Sequence, residues 1–403
     1  MIEYTTLALL VDELWLKGKN RGSYFRALKE NIELTLKAWH KKKYRLVIEA
    51  QRFLIRSETP FSDETMKAIA RMPGLQELIP VREIPLDYDR LLEPILEELD
   101  SHDGEEFTFK VETLRSFKKY PKNSMEISRH MGHLILQARP KLKVNVRNPQ
   151  VQVNIRVLPE HFYISTRSIK SPGGLPVGTN GHLITMLSGG FDSPVASYLM
   201  SKRGCTQTFV FFYAYPFVGE EVKDKIIELA KVLATYQSGC KLWIVPFGKV
   251  QKKIAKTCRE TYRTIFFRKY MVDCSNLLCE RLEADALLTG DSLGQVSSQT
   301  IGNISLVDQT SRYPILRPLI GFNKKETIAL AQKVGTHDIS VIPHDDACSM
   351  FAPKFPVIRP KNDYWHEYIE ENDFTEDLNA ALDQAEVFRI GVNGMLTSCE
   401  ISE

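Results

Sequence analysis

Apolar residues recur along this chain with two periods, and the switches between them divide it into elements. Residues 4–11, 44–50, 53–56 and 75–84 form β-rich runs that predict strands. Phe25, Leu28, Ile32, Leu36 and Trp39, spaced by three and four, predict the buried stripe of a helix, and a shorter helix over 63–71 is stopped by Pro73-Gly74. The resulting order β-α-β-β-α-β is that of a ferredoxin-like α+β unit. Helices over 91–99 and 124–138 and strands over 107–112, 151–157 and 161–167 come next. Ser171-Pro172-Gly173-Gly174-Leu175-Pro176-Val177-Gly178 then breaks all periodicity and marks a linker. Beyond it β-runs alternate with helical stretches: 182–187 and 194–203, 207–213 and 219–236, 241–246 and one long helix from 249 to 283, then 285–289 and a helix over 324–334. That alternation predicts an α/β fold with a parallel, doubly wound sheet. The domains expected are 1–84, 85–172, with a start as early as 60, and 173–403.

The 403 residues leave room for two to four domains at roughly 100–200 residues each. No apolar run approaches the roughly 18 residues of a membrane span, and the N-terminus places acids where a secretory signal carries its basic region. A cytoplasmic protein without membrane attachment is expected. Seven cysteines, an odd number, argue for reduced thiols over a disulfide framework.

The net charge of +3 hides a local imbalance: residues 107–170 carry 13 Lys/Arg against 3 Asp/Glu, whereas 1–106 carry 16 against 20 and 171–403 carry 24 against 27. A block that basic predicts a polyphosphate partner, most often a nucleic acid, against the plainer alternative of a solvated basic face. Arg115, Lys118, Lys119 and Lys122 fall on one loop and Arg129 on the helix that follows. Loop cations reach phosphates without entering a groove and suit recognition of backbone shape. Phe117, Tyr120 and His130 are candidates to stack on an unpaired base, although each aromatic is more readily placed in a core.

Directly after the strand over 182–187 comes Ser188-Gly189-Gly190-Phe191-Asp192-Ser193, with Pro194 expected to open a helix, where its missing N–H is of no consequence. Two glycines let the backbone turn tightly, and the free N–H groups of a helix start aim partial positive charge at an anion. Carboxyl ends of strands are where open α/β sheets bind nucleotides. Ser188 and Ser193 add hydroxyls, and Asp192, an acid beside bound phosphates, suits a Mg²⁺ ion. The loop has neither Gly-x4-Gly-Lys-Ser/Thr nor Gly-x-Gly-x-x-Gly. It resembles instead the signature of the ATP pyrophosphatases, whose loop grips the leaving pyrophosphate as AMP is transferred to an acceptor.

Three further stretches narrow the resemblance. Ala286-Leu287-Leu288-Thr289-Gly290-Asp291-Ser292-Leu293-Gly294-Gln295-Val296-Ser297-Ser298-Gln299-Thr300, Leu16-Lys17-Gly18-Lys19-Asn20-Arg21 and Gly173-Gly174-Leu175-Pro176-Val177-Gly178-Thr179 closely resemble segments of the tRNA 4-thiouridine synthases, sulfurtransferases also linked to thiamine thiazole synthesis. The resemblance spans essentially the whole chain and implies a ferredoxin-like domain, an RNA-binding THUMP domain and an ATP pyrophosphatase (PP-loop) domain. It implies ATP contacts at Met186, Leu187, Ser188, Gly189, Gly190, Phe191, Asp192, Ser193, Phe211, Phe212, Arg268, Gly290 and Gln299. Gly290 is expected to let the nucleotide pack on bare backbone. Lys324 matches a family lysine and is placed to neutralise charge as pyrophosphate leaves. The implied reaction starts with attack of the C4 oxygen of uridine 8 of tRNA on the α-phosphorus of Mg-ATP. A cysteine persulfide, charged by a cysteine desulfurase, then displaces AMP.

Cys348, in His344-Asp345-Asp346-Ala347-Cys348-Ser349-Met350-Phe351-Ala352-Pro353-Lys354, resembles the sulfur-carrying cysteine of that family. His344 and Lys354 favour its thiolate while Asp345 and Asp346 oppose it. Cys274 and Cys279, five apart on the expected long helix, diverge by about 140°, and the Cys-x-x-Cys that holds a cluster in some relatives is missing, so no iron–sulfur cluster is expected. Cys258, assigned to the same helix, reads as packing; Cys205, Cys240 and Cys399 stay open as resolving thiols. About 50 residues follow Cys348, too few for the rhodanese domain of longer relatives. Either the desulfurase then loads Cys348 directly or a separate protein relays the sulfur, and the thiamine branch is weakened; a homodimer stays open. Two rivals also stay open: a small-molecule adenylating ligase or amidotransferase of the same nucleotide fold, against which the basic block speaks, and a non-catalytic RNA-binding protein with a vestigial loop.

Overall fold

The computed structural model describes residues 2–49, 52–102, 104, 106–343, 351 and 353–401. The chain divides into two compact units, residues 1–18 with 36–173 and residues 19–35 with 174–403.

The chain opens with β1 (Thr6–Val11), α1 (Arg21–Trp39), β2 (Tyr44–Glu49), β3 (Arg52–Ser57), α2 (Asp63–Ala70) and β4 (Leu75–Pro85), in the expected ferredoxin-like order. The strands pair β2-β3-β1-β4, each neighbour antiparallel. Leu28, Ile32 and Leu36 of the α1 stripe are fully buried. Residues 19–35 of that helix group with the second unit, where Asn31 donates to the Val177 carbonyl at 3.0 Å and accepts from Ser238 at 2.6 Å.

The same sheet then continues through α3 (Leu92–Asp100), β5 (Thr108–Arg115), α4 (Ser124–Ala138), β6 (Lys143–Val144), β7 (Val151–Val157), β8 (His161–Ser165) and β9 (Ile169–Lys170). Its order beyond β4 is β8-β7-β5-β6. The long β4 makes the continuity possible, pairing with β1 through Leu75 to Val81 and with β8 through Arg82 to Pro85. Alternation on β7 turns Val151, Val153, Ile155 and Val157 onto Phe109, Ile127, Met131 and Ile135, and that core presents the basic loop between β5 and α4.

The second unit holds β10 (His182–Met186), α5 (Asp192–Ser201), β11 (Thr206–Tyr213), α6 (Glu220–Ala234), β12 (Cys240–Pro246), α7 (Gly248–Thr257), α8 (Arg263–Leu282), β13 (Ala286–Leu288), α9 (Ile301–Thr310), β14 (Ile315–Leu316), α10 (Lys324–Val334), α11 (His337–Val341), α12 (Asn362–Glu371), α13 (Thr375–Asp383), β15 (Glu386–Ile390) and β16 (Leu396–Ile401). The order β14-β13-β10-β11-β12 is parallel, as expected, and β15 and β16 add an antiparallel edge. Both faces are covered: Phe209 and Phe211 of β11 pack in the α6 layer, and Val210 and Phe212 pack in the α7–α8 layer.

The single long helix expected over 249–283 is two helices. Cys258 is extended (φ −98°, ψ 161°), and the backbone groups freed there find tertiary partners: Arg259 N–H donates to the Tyr364 hydroxyl at 2.8 Å, and the Thr261 carbonyl accepts from Val357 N–H at 2.9 Å. Among the described residues no helix is long and apolar enough to cross a membrane.

Candidate active site

β10 lies between β11 and β13, and its pairing runs on past the strand, with Leu187 N–H donating to the Val210 carbonyl at 2.9 Å. The chain then turns over Ser188 to Ser193, closed by the two serines. Ser193 Oγ accepts from Ser188 N–H at 2.8 Å and lies 3.0 Å from Ser188 Oγ. α5 begins at Asp192, ahead of the expected Pro194; the proline still sits in the first turn, where no intrahelical donor is required. Gly189 and Gly190 both avoid the left-handed region. Among the described residues a Cβ at Gly190 would meet only Ser188 Oγ at 3.8 Å, so they leave space beside this glycine.

Gly290 has a structural role besides the expected one. A Cβ there would fall 2.4 Å from Ser193 N and 2.7 Å from Asp192 C, so the missing side chain lets the end of β13 abut the backbone of the α5 start. It supports the turn, and the glycine itself stays partly exposed.

The candidate pair Asp192 and Lys324 is brought together: Lys324 Nζ lies 3.2 and 3.1 Å from the two carboxylate oxygens, and Gln295 Nε2 donates to one of them at 2.9 Å. Lys324 is the first residue of α10, whose start is fixed by a capping box between Asn323 and Glu326. Its ammonium also lies 5.1 Å from the centroid of the Phe191 ring.

Arg268 and Gln299 converge on a residue that sequence reasoning missed as a site residue. Asp291, 3% exposed, accepts from Arg268 and from Gln299 Nε2 (3.3 Å), Thr289 Oγ1 (2.9 Å) and Arg317 Nε (3.1 Å). The available signal was its place in the Thr-Gly-Asp-Ser stretch, but neither arginine is near it in sequence. Burial pushes its carboxyl pKa up, yet the Arg268 charge and hydrogen bond, with Thr289 and Arg317, outweigh that and hold it down at about 2. A carboxyl depressed on folding stabilises the fold above its unfolded value, and that stability is lost as pH falls through the folded value. Roughly 2 kcal/mol is therefore expected to disappear between about pH 4 and pH 2. Denaturant titrations across that range should find this part of the slope missing in Asp291→Asn; identical slopes would refute the assignment.

The remaining implied ATP contacts stand nearby with different surroundings. Met186 is half-buried and Leu187 buried. Phe211 and Phe212 are both 5% exposed and point into opposite layers, so their two side chains cannot face the same ligand. Gln299 Oε1 is a buried acceptor with no partner among the described residues.

Cys348 and its neighbours 344–350 lie outside the described residues, as does Ala352. Phe351 is held edge-on against Phe217, with ring centroids 5.1 Å apart, and Lys354 lies over the Phe355 ring at 5.8 Å. Cys258 caps α7, correcting its placement on the α8 helix, and is buried as expected. Cys274 and Cys279 are fully buried in the α8 layer, and burial pushes the Cys279 thiol up to about 12. Cys205 precedes β11 and Cys240 opens β12, so both stand at the amino ends of parallel strands, about 17 Å from the loop end for a five-residue strand. Burial raises both thiols. Cys399 is exposed on the edge strand β16.

Among the candidate RNA contacts in the first unit, Lys118, Lys119, Lys122 and Arg129 are exposed. Arg115 is half-buried and donates to the Tyr120 and Lys122 carbonyls, both at 3.0 Å, which makes it a brace for the loop. Tyr120 packs edge-on to Phe162 with centroids 5.5 Å apart, and His130 stacks on Tyr88 at 5.6 Å.

Three family models match this chain: the thiamine biosynthesis protein ThiI over residues 178–374, the THUMP domain over 88–167 and the ThiI ferredoxin-like domain over 9–78. A probable tRNA sulfurtransferase of Clostridium kluyveri is 36% identical over 356 residues, covering 88% of this chain and 91% of its own. One from Caldanaerobacter subterraneus subsp. tengcongensis is 35% identical over 373 residues, covering 91% and 95%. Among solved structures, a 4-thiouridine synthetase–RNA complex with bound ATP is similar over 96% of this chain and 100% of its own, with a TM-score of 0.86 at 31% identity. PH1313 from Pyrococcus horikoshii, at 20% identity and a TM-score of 0.63, shares the fold.

Proposed function

Because the chain belongs to the ThiI family of tRNA sulfurtransferases, we propose that its Ser188–Ser193 turn is where ATP adenylates tRNA and that a Cys348 persulfide then supplies sulfur. The chain is an ATP-dependent transferase that makes 4-thiouridine in tRNA, and thiamine biosynthesis is the second role its family description carries. Position 8 of tRNA is the target. The three functional domains are read as 1–84, 85–172 and 173–403.

One observation carries the reading. At the carboxyl ends of adjacent parallel strands, a helix start with free N–H groups faces unfilled space, with Lys324 on Asp192 on one side and Arg268 with Gln299 on the other. The turn holds the β- and γ-phosphates by backbone N–H groups, a matter of positioning and charge. Gln299 Oε1, a buried orphan acceptor, suits a donor on the nucleotide. Asp192 supplies the hard oxygen a Mg²⁺ ion takes, and the ion would neutralise phosphate charge beside Lys324.

In the first half, uridine O4 attacks the α-phosphorus and pyrophosphate leaves. In the second, the terminal sulfur of the Cys348 persulfide attacks C4, and AMP departs with the C–O electron pair. A second thiol then attacks Cys348 Sγ, which frees thiouridine and leaves a disulfide for an external dithiol to reduce. That thiol is Cys205, Cys240, Cys399 or one on the donor. The chemistry calls for a cysteine desulfurase, acting directly or through a relay protein.

Purified chain with unmodified tRNA, Mg-ATP, a desulfurase and cysteine is expected to release AMP and pyrophosphate and to form 4-thiouridine on nucleoside analysis. Release of neither product would leave only the vestigial reading. Binding to tRNA is expected to weaken roughly 100-fold between about 50 and 300 mM salt if about three loop cations meet phosphates. Alanine at Lys118, Lys119 or Lys122 should lower the salt slope by about 1 each. Affinity indifferent to salt would favour the small-molecule ligase.

A further inference from the structure

The glycine turn has a second support that neither its own sequence nor the proposed chemistry assigns. Ser340, 6% exposed on α11, donates its hydroxyl to the Gly190 carbonyl at 3.2 Å. α11 has only five residues and no side-chain N-cap, too short to hold its own place, so tertiary contacts must fix it. Lys225, buried on α6, provides them: its Nζ donates to the Ser340 carbonyl at 2.9 Å and to the Ile342 carbonyl at 2.6 Å, two of the acceptors a helix end leaves free. The neighbouring turn residues are gripped from α11 and α10. The His337 ring lies 5.6 Å from that of Phe191, and Lys324 pairs with Asp192. Tyr236 adds a bond to the α10 end through the Val334 carbonyl at 3.1 Å.

We propose that Ser340, locked by Lys225, is a positioning residue that sets the orientation of the Gly190–Phe191 peptide in the nucleotide turn. Across a trans peptide the C=O and the following N–H point in opposite directions. Holding the Gly190 oxygen against α11 therefore aims the Phe191 N–H to the side of the turn that α11 leaves uncovered, where a phosphate oxygen would accept it. Without the serine hydroxyl that peptide is free to rotate, and its carbonyl oxygen then repels the anion its N–H should attract. This inference rests on the reading of the turn as the ATP site.

The test is a comparison of Ser340→Ala, Ser340→Thr and Lys225→Met in tRNA-dependent release of AMP and pyrophosphate. In Ser340→Ala the KM for ATP and the inhibition constant for pyrophosphate are both expected to rise by about tenfold, the loss of one hydrogen bond, with affinity for tRNA unchanged. Ser340→Thr, which keeps the hydroxyl, should restore both. Lys225→Met should reproduce the alanine phenotype, and the double variant should be no worse than either single one, because the two groups act in series. An unchanged KM and inhibition constant in Ser340→Ala, or effects of the two substitutions that simply multiply, would overturn the proposal. If Lys225→Met does not fold, the alanine and threonine variants decide alone. If the native chain releases no AMP, the catalytic reading fails instead, and calorimetric titration of native and Ser340→Ala protein with Mg-ATP decides the positioning role: weaker binding by the variant supports it, equal affinity ends it.

Discussion

Placing a methyl group on Gly290 is expected to lower AMP and pyrophosphate release by about 100-fold while leaving tRNA affinity as it was. The added carbon would stand 2.4 Å from Ser193 N, 2.7 Å from Asp192 C and 2.8 Å from Ser193 Cα, all backbone atoms that no rotamer change can move aside. The first turn of α5 must therefore shift by something near an ångström, a displacement that can cost a reacting site about 100-fold. The shift carries Asp192 and its bond to Lys324 along with it. Steady-state assays of Gly290→Ala at saturating tRNA check this, with filter binding of tRNA as the measure that the fold and the basic loop survive. Native turnover in that variant would mean that the turn tolerates displacement and is not the reacting site.

Replacing Cys348 by serine is expected to separate the two halves of the reaction. On the proposed reading adenylation uses the turn, Lys324 and the Arg268 side of the site but not Cys348, so AMP and pyrophosphate release should stay near native. Formation of 4-thiouridine should be abolished, because a hydroxyl cannot carry a persulfide. Nucleoside analysis after incubation with a desulfurase reads the second half, and pyrophosphate release reads the first. Full thiolation by Cys348→Ser would transfer the sulfur-carrying role to another thiol, and Cys399, exposed on β16, would be the first to examine.

Helices α4 and α10 were legible to the residue, and the reason is local. Each begins with an asparagine cap and a glutamate three positions on, Asn123 with Glu126 and Asn323 with Glu326, and such reciprocal bonds need nothing from the rest of the chain. The break between α7 and α8 was not legible, because Cys258 to Tyr262 contain neither glycine nor proline. The helix stops there because Tyr364 and Val357, about 100 residues further on, provide partners for the released backbone groups. The edge hairpin β15–β16 was missed for a related reason: its strands are short, and the hairpin joins the sheet only where β15 pairs with β12, far back in sequence.

The candidate site divides in the same way. Its chemical vocabulary was written in contiguous residues: a strand, two glycines, two serines and an acid before a helix start, a lysine at another helix start, and a basic loop ahead of α4. Those depend on backbone conformation and charge within a few residues, which neighbouring side chains dictate. Which groups meet was decided by packing alone. Asp291 joining Arg268 to Arg317, Gly290 yielding room to Ser193, and Lys225 holding Ser340 against the turn all link residues more than twenty positions apart. Contacts across such distances carry a loop-closure entropy that only a completed sheet with both faces covered can repay, so they exist in the folded molecule and leave no periodic trace in the chain.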